Sequence, residues 1–227
     1  MNIVESMKFS ENREIEKAYI ITLFDNDEST QLSNRCAWSC RRNQIPYEQI
    51  QGFDGTKNNE IIIPPGLENQ WFIKWLKQPN DKYSSSQIAC FFSHFSLWAL
   101  CATIDKPIII LEHDAICVQN IKFHKFYNCI QYLGSKEQYN GAEVCSIPPH
   151  ASIYNGHWRS ICRAHAYLID SPVARNLLSY AIREGMTKTL DIFIRCDIFS
   201  IVQDGIYFYD ERGTSTIEEK ENYSEDA

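Results

Sequence analysis

Short apolar runs alternate along the chain with longer segments that carry helix signals, and this order predicts an α/β protein. The run Ala18–Leu23 is almost entirely apolar, as expected for a strand that is covered on both faces of a sheet. A helix is predicted near Thr30–Asn43, and a second strand near Tyr47–Ile50 leads to the turn Gly52–Gly55. Strand, helix and strand in this order indicate the start of a parallel sheet.

The middle of the chain carries clear helix boundaries. The residues Ser84 to Gln87 fit a capping box, so a helix is predicted from there to about Thr103, where Lys106-Pro107 breaks the pattern. The apolar strand Ile108–Leu111 then leads directly to Glu112, His113 and Asp114.

The second half of the chain predicts three more strands and one helix. The strands are expected near Ala142–Ile147, Ala164–Ile169 and Ile206–Tyr209. The helix is expected to have Ser171 as its cap, Pro172 at its first position and Gly185 just past its end.

Composition adds a single-domain organisation to this picture. A chain of 227 residues that is 44% hydrophobic fits one compact domain, and no internal repeat or domain boundary is evident. We expect an N-terminal extension over 1–16, polar and acidic rather than a signal peptide, and a main domain over 17–217. Residues 218–227 hold five acids and one lysine, which predicts a disordered acidic tail.

Charge and cysteine content limit the classes of partner and compartment. The formal net charge is −7, but the acidic tail accounts for most of it, so bulk binding to nucleic acid is not predicted. The nine cysteines include no CxxC pair, which favours free thiols in a reducing compartment and therefore a cytoplasmic protein. No stable membrane insertion is predicted, because Ser93, His94 and Ser96 interrupt the apolar stretch Ile88–Ile104.

The strongest chemical signal is the pair of carboxylates that follows the strand Ile108–Leu111. In extended chain, Glu112 and Asp114 face one side and His113 faces the other. Two adjacent carboxylates suit a hard divalent cation, Mn²⁺ or Mg²⁺, that holds a diphosphate at the carboxyl edge of the sheet. The alternative is a solvated acidic turn.

Other candidates each have a structural alternative. His94 lies in an aromatic helix and is either a hydrogen-bonded core histidine or a pocket residue. Asp191 is either a helix cap or a carboxylate base. The cationic group is His157, Trp158, Arg159, Arg163 and His165. It either binds a phosphate or an anionic acceptor, or forms an exposed loop with a few ion pairs.

An aromatic stretch has several possible roles, and the signal for a zinc site is weak. The stretch Trp71–Lys77 is either an acceptor platform, a membrane-surface contact or core packing. The six histidines and nine cysteines show no zinc-finger spacing.

In order along the chain, several segments resemble glycosyltransferase family 25, which includes lipooligosaccharide and collagen galactosyltransferases. The family pattern has a strand followed by an Arg, a turn ending in Asp-Gly, a Cys-x-x-Ser-His helix and a Leu-Glu-Asp-Asp metal motif. A Tyr-Leu-Ile strand with its helix, an Asp and a closing Ser-x-Ile segment follow. The matching residues here are Ala18–Leu23, Arg35, Phe53–Gly55, Ala89–Trp98, Leu111–Asp114, Tyr167–Ile169 with Ala174–Leu178, Asp191 and Ser215–Ile217. Two departures are His113, in place of the middle acid, and Ala89, in place of a Gly.

The resemblance implies a single GT-A-type, Rossmann-like α/β domain with a mostly parallel sheet flanked by helices. It also implies a nucleotide-sugar donor, usually a UDP-sugar, and a divalent metal, Mn²⁺ or Mg²⁺, with inversion at the anomeric carbon. The implied roles are metal binding by Asp114 and Glu112, and proton removal from the acceptor by Asp191, although Asp197 is an alternative base. The nucleotide-sugar contacts would be Leu23, Arg35, Asp54, Gly55, Glu112 and His113, and the substrate pocket would contain Ser93, His94, His157, Trp158 and Arg159.

Three functions follow from the resemblance. The first is transfer of a sugar to a glycan or lipid-linked oligosaccharide. The second is a phage-type enzyme that modifies hydroxymethylated bases of DNA in the host cytoplasm, which the nearly neutral body disfavours. The third is a non-catalytic relative that binds nucleotide or glycan only, for which His113 in the metal motif is the main argument.

Overall fold

The computed structural model describes residues 15–56, 60–73, 82–121, 128–134, 164–186, 188–195, 198–202 and 206–211. The helices in these ranges are α1 Asp27–Arg42, α2 Ser85–Ile104, α3 Ser171–Glu184 and α4 Leu190–Phe193. The strands are β1 Ala18–Thr22, β2 Tyr47–Gln51, β3 Ile108–Glu112, β4 Ala115–Cys117, β5 Ile130–Tyr132, β6 Ala166–Ile169, β7 Ile201–Val202 and β8 Phe208–Asp210.

A six-stranded sheet in the order β2-β1-β3-β6-β5-β7 forms the centre of the fold. Strand β1 pairs in parallel with both β2 and β3, and β7 pairs in parallel with β5. Strand β6 is antiparallel to both of its neighbours, β3 and β5. Five strands therefore run in one direction and one is reversed, which confirms the predicted mostly parallel α/β sheet.

Both faces of the sheet are covered, and this explains the continuous apolar runs in the sequence. In β3, Ile108 and Ile110 belong to the core that contains α2 and α3, whereas Ile109 and Leu111 belong to the core beneath α1. All four side chains are buried. Alternate residues of one strand thus serve two separate cores, so no position in β3 before Glu112 needs to be polar.

Helix α2 is the central element of the larger core. Its predicted capping box is present, with the Ser84 hydroxyl accepting from the Gln87 N–H and the Gln87 side chain accepting from the Ser84 N–H. By length and composition α2 could cross a membrane. Nine of its residues are buried in the protein core, and Phe91 and Trp98 pack on Phe193 of α4. This is the environment of a core helix.

Some predicted boundaries differ from the structure. The cap of α3 is Asp170, whose carboxylate accepts from the Val173 N–H at 3.1 Å, and not Ser171. Helix α1 begins at Asp27 because the Asn26 side chain caps it by accepting from the Ser29 N–H. Aspartate and serine are both good caps, so the residue pattern did not separate Asp170 from its neighbour.

The strands that the sequence pattern missed are short. Strands β4, β5 and β7 have only two or three residues each, too few to show a period. The predicted final strand is present as β8, but it pairs with β4 in a separate two-stranded sheet. The strand predicted over Ala142–Ile147 lies outside the described residues.

Gly55 lies where the turn after β2 meets the start of α2, and we expect an alanine there to be strongly destabilising. A Cβ atom at this position would overlap the backbone oxygen of Ser85, so either the turn or the helix would have to move. The substitution Gly55→Ala is expected to cost about 3 kcal/mol of unfolding free energy, measured by urea denaturation.

Gly66 provides the matched control for this substitution. Its φ of +86° disfavours a side chain, but nothing lies within 4 Å of the position of a Cβ. Gly66→Ala is expected to cost only about 1 kcal/mol. If Gly55→Ala cost no more than Gly66→Ala, the contact between the turn and α2 would be loose and the prediction wrong.

Candidate active site

The candidate site is a pocket at the carboxyl ends of β1 and β3, called here the strand-end pocket. Its walls are the ends of these two strands, the turn after β2 and one face of α2, and it encloses about 110 Å³. Seven residues named from the sequence line it: Leu23, Gly55, Ser93, His94, Glu112, His113 and Asp114. The topology therefore brings together side chains that are up to 91 positions apart in the chain.

Glu112 is the last residue of β3, and its side chain faces α2. Its Oε1 atom lies 3.3 Å from His94 Nε2 and 3.7 Å from Cys90 Sγ. Burial raises the pKa of the Glu112 carboxyl, but the hydrogen bond from His94 and the nearby His113 outweigh this effect and lower that pKa to about 2. The carboxylate is thus ionised, and 30% of its side chain remains exposed.

His94 is both a hydrogen-bonded core residue and part of the pocket wall. Its exposed fraction is 1%, and its Nδ1 atom lies 2.8 Å from the hydroxyl of Tyr167 on β6. The indole N–H of Trp98 donates to the same hydroxyl at 2.9 Å. A chain of buried polar groups therefore leads from the core to Glu112.

His113 and Asp114 follow β3 in a turn, so the strand alternation expected for residues 112–114 ends at Glu112. His113 faces the start of α1, where its Nδ1 atom lies 3.3 Å from the Ser29 hydroxyl. Burial lowers the pKa of His113, although Glu112 and Glu28 partly oppose this effect. All three residues of the motif line the same pocket despite the turn.

Two hydrogen bonds join the surroundings of the motif to other elements of the fold. The Ser29 hydroxyl, which faces His113, accepts from the Leu23 N–H at 2.9 Å and so joins α1 to the end of β1. The Asp114 carbonyl accepts from the Glu211 N–H at 2.8 Å, next to the β4–β8 pairing.

Three predicted site residues have structural hydrogen bonds or ion pairs. Arg35 donates from Nε to Glu211 at 2.7 Å on the surface and is not among the residues that line the strand-end pocket. Buried Asp54 is also not among them; its Oδ1 accepts from the N–H and hydroxyl of Thr56 at 2.8 and 2.6 Å. Ser93 lines the pocket, and its hydroxyl accepts from the Phe53 N–H at 2.9 Å.

The region of the proposed base is only partly described. Asp191 lies inside α4, whereas Thr189 occupies the cap position, so the helix-cap interpretation of Asp191 is wrong. Trp71 contacts the buried rings of Phe72 and Phe95 but is itself 48% exposed, so it lies at the edge of the core and the three interpretations of its stretch stay open. His165 of the predicted cationic group is 1% exposed, so the exposed-loop interpretation is wrong for this residue. The remaining predicted residues, namely Lys74–Lys77, His157, Trp158, Arg159, Arg163 and Asp197, lie outside the described residues.

Sequence reasoning missed Cys90 as part of the site. Cys90 and His94 are one turn apart on α2, and their ligand atoms and that of Glu112 all lie within 4.8 Å of one another. These three residues could hold a metal ion. The Cys-x₃-His spacing on one helix face was the available signal, since residues four apart on a helix are neighbours.

The comparison with known families agrees with this geometry. The sequence pattern of glycosyltransferase family 25 (LPS biosynthesis protein) matches residues 15–194. The chain belongs to glycosyltransferase family 25. The match runs from the residues before β1 to the end of α4, so it includes every residue of the strand-end pocket. No curated protein matches the chain.

The hydroxyl of Ser29 joins three elements of this glycosyltransferase, and we expect Ser29→Ala to be destabilising. The buried substitution leaves the Leu23 N–H without its acceptor and removes the partner of His113. The expected loss is about 1–3 kcal/mol of unfolding free energy, measured by urea denaturation.

Ser96→Ala is the matched control, because among the described residues the Ser96 hydroxyl donates only to the Ser93 carbonyl within α2. Its effect should stay within about 0.5 kcal/mol. Equal effects of the two substitutions would show that Ser29 does not hold the site together.

Proposed function

We propose that this glycosyltransferase is metal-dependent and moves a sugar, with inversion, from a UDP-sugar donor to an acceptor hydroxyl of a glycan or lipid-linked oligosaccharide. The observation that supports this proposal is the strand-end pocket, where Glu112, His113 and Asp114 meet Leu23 at the carboxyl edge of the sheet. In α/β sheets of this kind, ligands bind beyond the carboxyl ends of the strands.

The possible ligand atoms in the strand-end pocket fit a divalent metal. Glu112 is ionised, and Asp114 lines the same pocket, so two carboxyl groups can supply the oxygen ligands that Mn²⁺ and Mg²⁺ prefer. The alternative set of Cys90, His94 and Glu112 would favour zinc. However, His94 Nε2 already faces Glu112 as a hydrogen-bond partner. We therefore assign the metal to Glu112 and Asp114, where it would neutralise charge on the diphosphate leaving group.

The protein's own residues have distinct proposed roles. Leu23 and the adjoining turn contact the nucleotide, and Ser93 and His94 form the wall beside the sugar. The acceptor oxygen attacks the anomeric carbon as the bond from that carbon to the diphosphate oxygen breaks, and Asp191 takes the acceptor's proton. A base in this role is typically worth 10²–10⁴-fold in rate.

The first test of this function replaces one carboxylate of the pocket. We expect Asp114→Asn to fold normally and to lose manganese-dependent binding of UDP, because the amide supplies no negative charge to the metal. Titration calorimetry with UDP, with and without Mn²⁺, measures this loss. The wild type is expected to bind UDP only when Mn²⁺ is present.

Asp105→Asn is the matched control for the carboxylate test. Asp105 is a surface residue that ends α2 in the left-handed conformation, which asparagine also tolerates, and it pairs with exposed Arg175. The UDP affinity of Asp105→Asn in the presence of Mn²⁺ should equal that of the wild type. Metal-independent binding of UDP, or full binding by Asp114→Asn, would contradict the proposed metal site.

A second test separates binding from catalysis at Asp191. Asp191→Asn should bind UDP and Mn²⁺ like the wild type but lose about 10²–10⁴-fold in sugar transfer, because only proton removal is affected. Release of UDP from a panel of UDP-sugars with glycan acceptors measures the rate. Unchanged transfer by Asp191→Asn would remove Asp191 from the role of base.

A further inference from the structure

The buried hydrogen-bond chain behind Glu112 determines how that carboxylate is held. Trp98 Nε1 lies 2.9 Å from the Tyr167 hydroxyl, which lies 2.8 Å from His94 Nδ1, and His94 Nε2 lies 3.3 Å from Glu112 Oε1. Trp98 and Tyr167 have no exposed surface, and His94 is 1% exposed. Water therefore does not compete for these groups.

The direction of each hydrogen bond follows from the chemistry of its donors. An indole N–H can only donate, so the Tyr167 oxygen accepts from Trp98. The phenol has one proton of its own, and among the described residues its remaining partner is His94 Nδ1. Burial raises the pKa of Tyr167 well above its ordinary value, so the phenol keeps this proton at neutral pH. Nδ1 is thus an acceptor.

If Nδ1 accepts, the neutral imidazole carries its proton on Nε2. That Nε2–H faces the Glu112 carboxylate, which can only accept when ionised. The opposite tautomer would leave the buried phenol proton without an acceptor and turn an unprotonated nitrogen towards the carboxylate, so two buried groups would lose their hydrogen bonds.

The residues of this hydrogen-bond chain lie on α2 and β6, and the chain ends at Glu112 of β3. Trp98 lies one turn after His94 on α2, and Tyr167 lies on β6, opposite Ile110 of β3 in the antiparallel register. The rings of His94 and Tyr167 stack with an interplanar angle of 11°. Helix α2, β6 and β3 are therefore joined at the position where Glu112 enters the pocket.

We propose that Tyr167, supported by Trp98, is a positioning residue that fixes His94 with its proton on Nε2 and so holds the Glu112 carboxylate in place before the donor binds. This inference rests on the proposed function in one respect, namely that Glu112 helps to bind the metal and the UDP-sugar donor. Tyr167 is not among the residues that line the strand-end pocket, so it would act through its hydrogen bond with His94. A carboxylate fixed in advance loses less conformational freedom when ligand binds.

Measuring the tautomer of His94 tests the hydrogen-bond chain without any substrate. Nitrogen-15 NMR of the histidine side chains, with the His94→Gln spectrum for assignment, should show His94 protonated on Nε2. The Glu112→Ala variant should keep that tautomer, because Tyr167 sets it. Protonation on Nδ1 in the wild type, or a mixture of tautomers in Glu112→Ala, would overturn the proposal.

Tyr167→Phe tests the consequence for the donor site. It removes one oxygen and keeps the ring, and we expect the dissociation constant of UDP with Mn²⁺ to rise about tenfold, as for the loss of one hydrogen bond. Tyr132→Phe is the matched control, since Tyr132 is 1% exposed and pairs with Tyr167 in the neighbouring strand β5. The control should bind UDP like the wild type.

The outcomes separate this proposal from the proposed function. Equal UDP affinity of Tyr167→Phe and the wild type would overturn the positioning role. In a His94→Gln background, Tyr167→Phe should add nothing to the loss, and a further tenfold loss would show that Tyr167 does not act through His94. Failure of the wild type to bind UDP would contradict the proposed function, while the NMR result would still decide whether Tyr167 sets the tautomer of His94.

The NMR comparison of the wild type and Glu112→Ala needs no Tyr167 variant, so it remains a test if Tyr167→Phe does not fold.

Discussion

The site depends on one electrostatic constraint: an ionised carboxylate ends a strand whose other four residues are buried. Glu112 cannot be left without compensation at this depth, and its partners come from α2, the helix that also fills the larger core. The same packing that buries Phe91 and Trp98 places Cys90 and His94 beside the carboxylate. The core and the site therefore share helix α2, and a substitution that shifts α2 affects both.

The sequence predicted those parts of the fold that local patterns determine. The apolar run of β1 indicated a strand covered on both faces, and the capping box at Ser84 marked the start of α2. The hydrogen-bond chain behind Glu112 was not predictable in this way, because Tyr167 reaches His94 through the antiparallel pairing of β6 with β3. Such a contact follows from the topology, which single-sequence patterns do not give.

His113 is the main departure from the metal motif that the resemblance led us to expect. A third acid in this place would add a negative charge to a pocket that already contains two carboxyl groups. The histidine instead contacts Ser29, and its lowered pKa favours the neutral ring. It therefore joins the end of β3 to the start of α1 without adding charge, so the departure is compatible with a working site.

The β4–β8 pair extends the folded structure around Asp114 beyond the family match. The match ends at residue 194, yet β8 pairs with the strand that leaves Asp114, and the Glu211 N–H donates to the Asp114 carbonyl. A shortened protein designed from the family boundary would expose the edge of β4 and free the backbone of Asp114. Because of this strand pairing, we expect the shortest stably folded version of the protein to extend at least to Glu211.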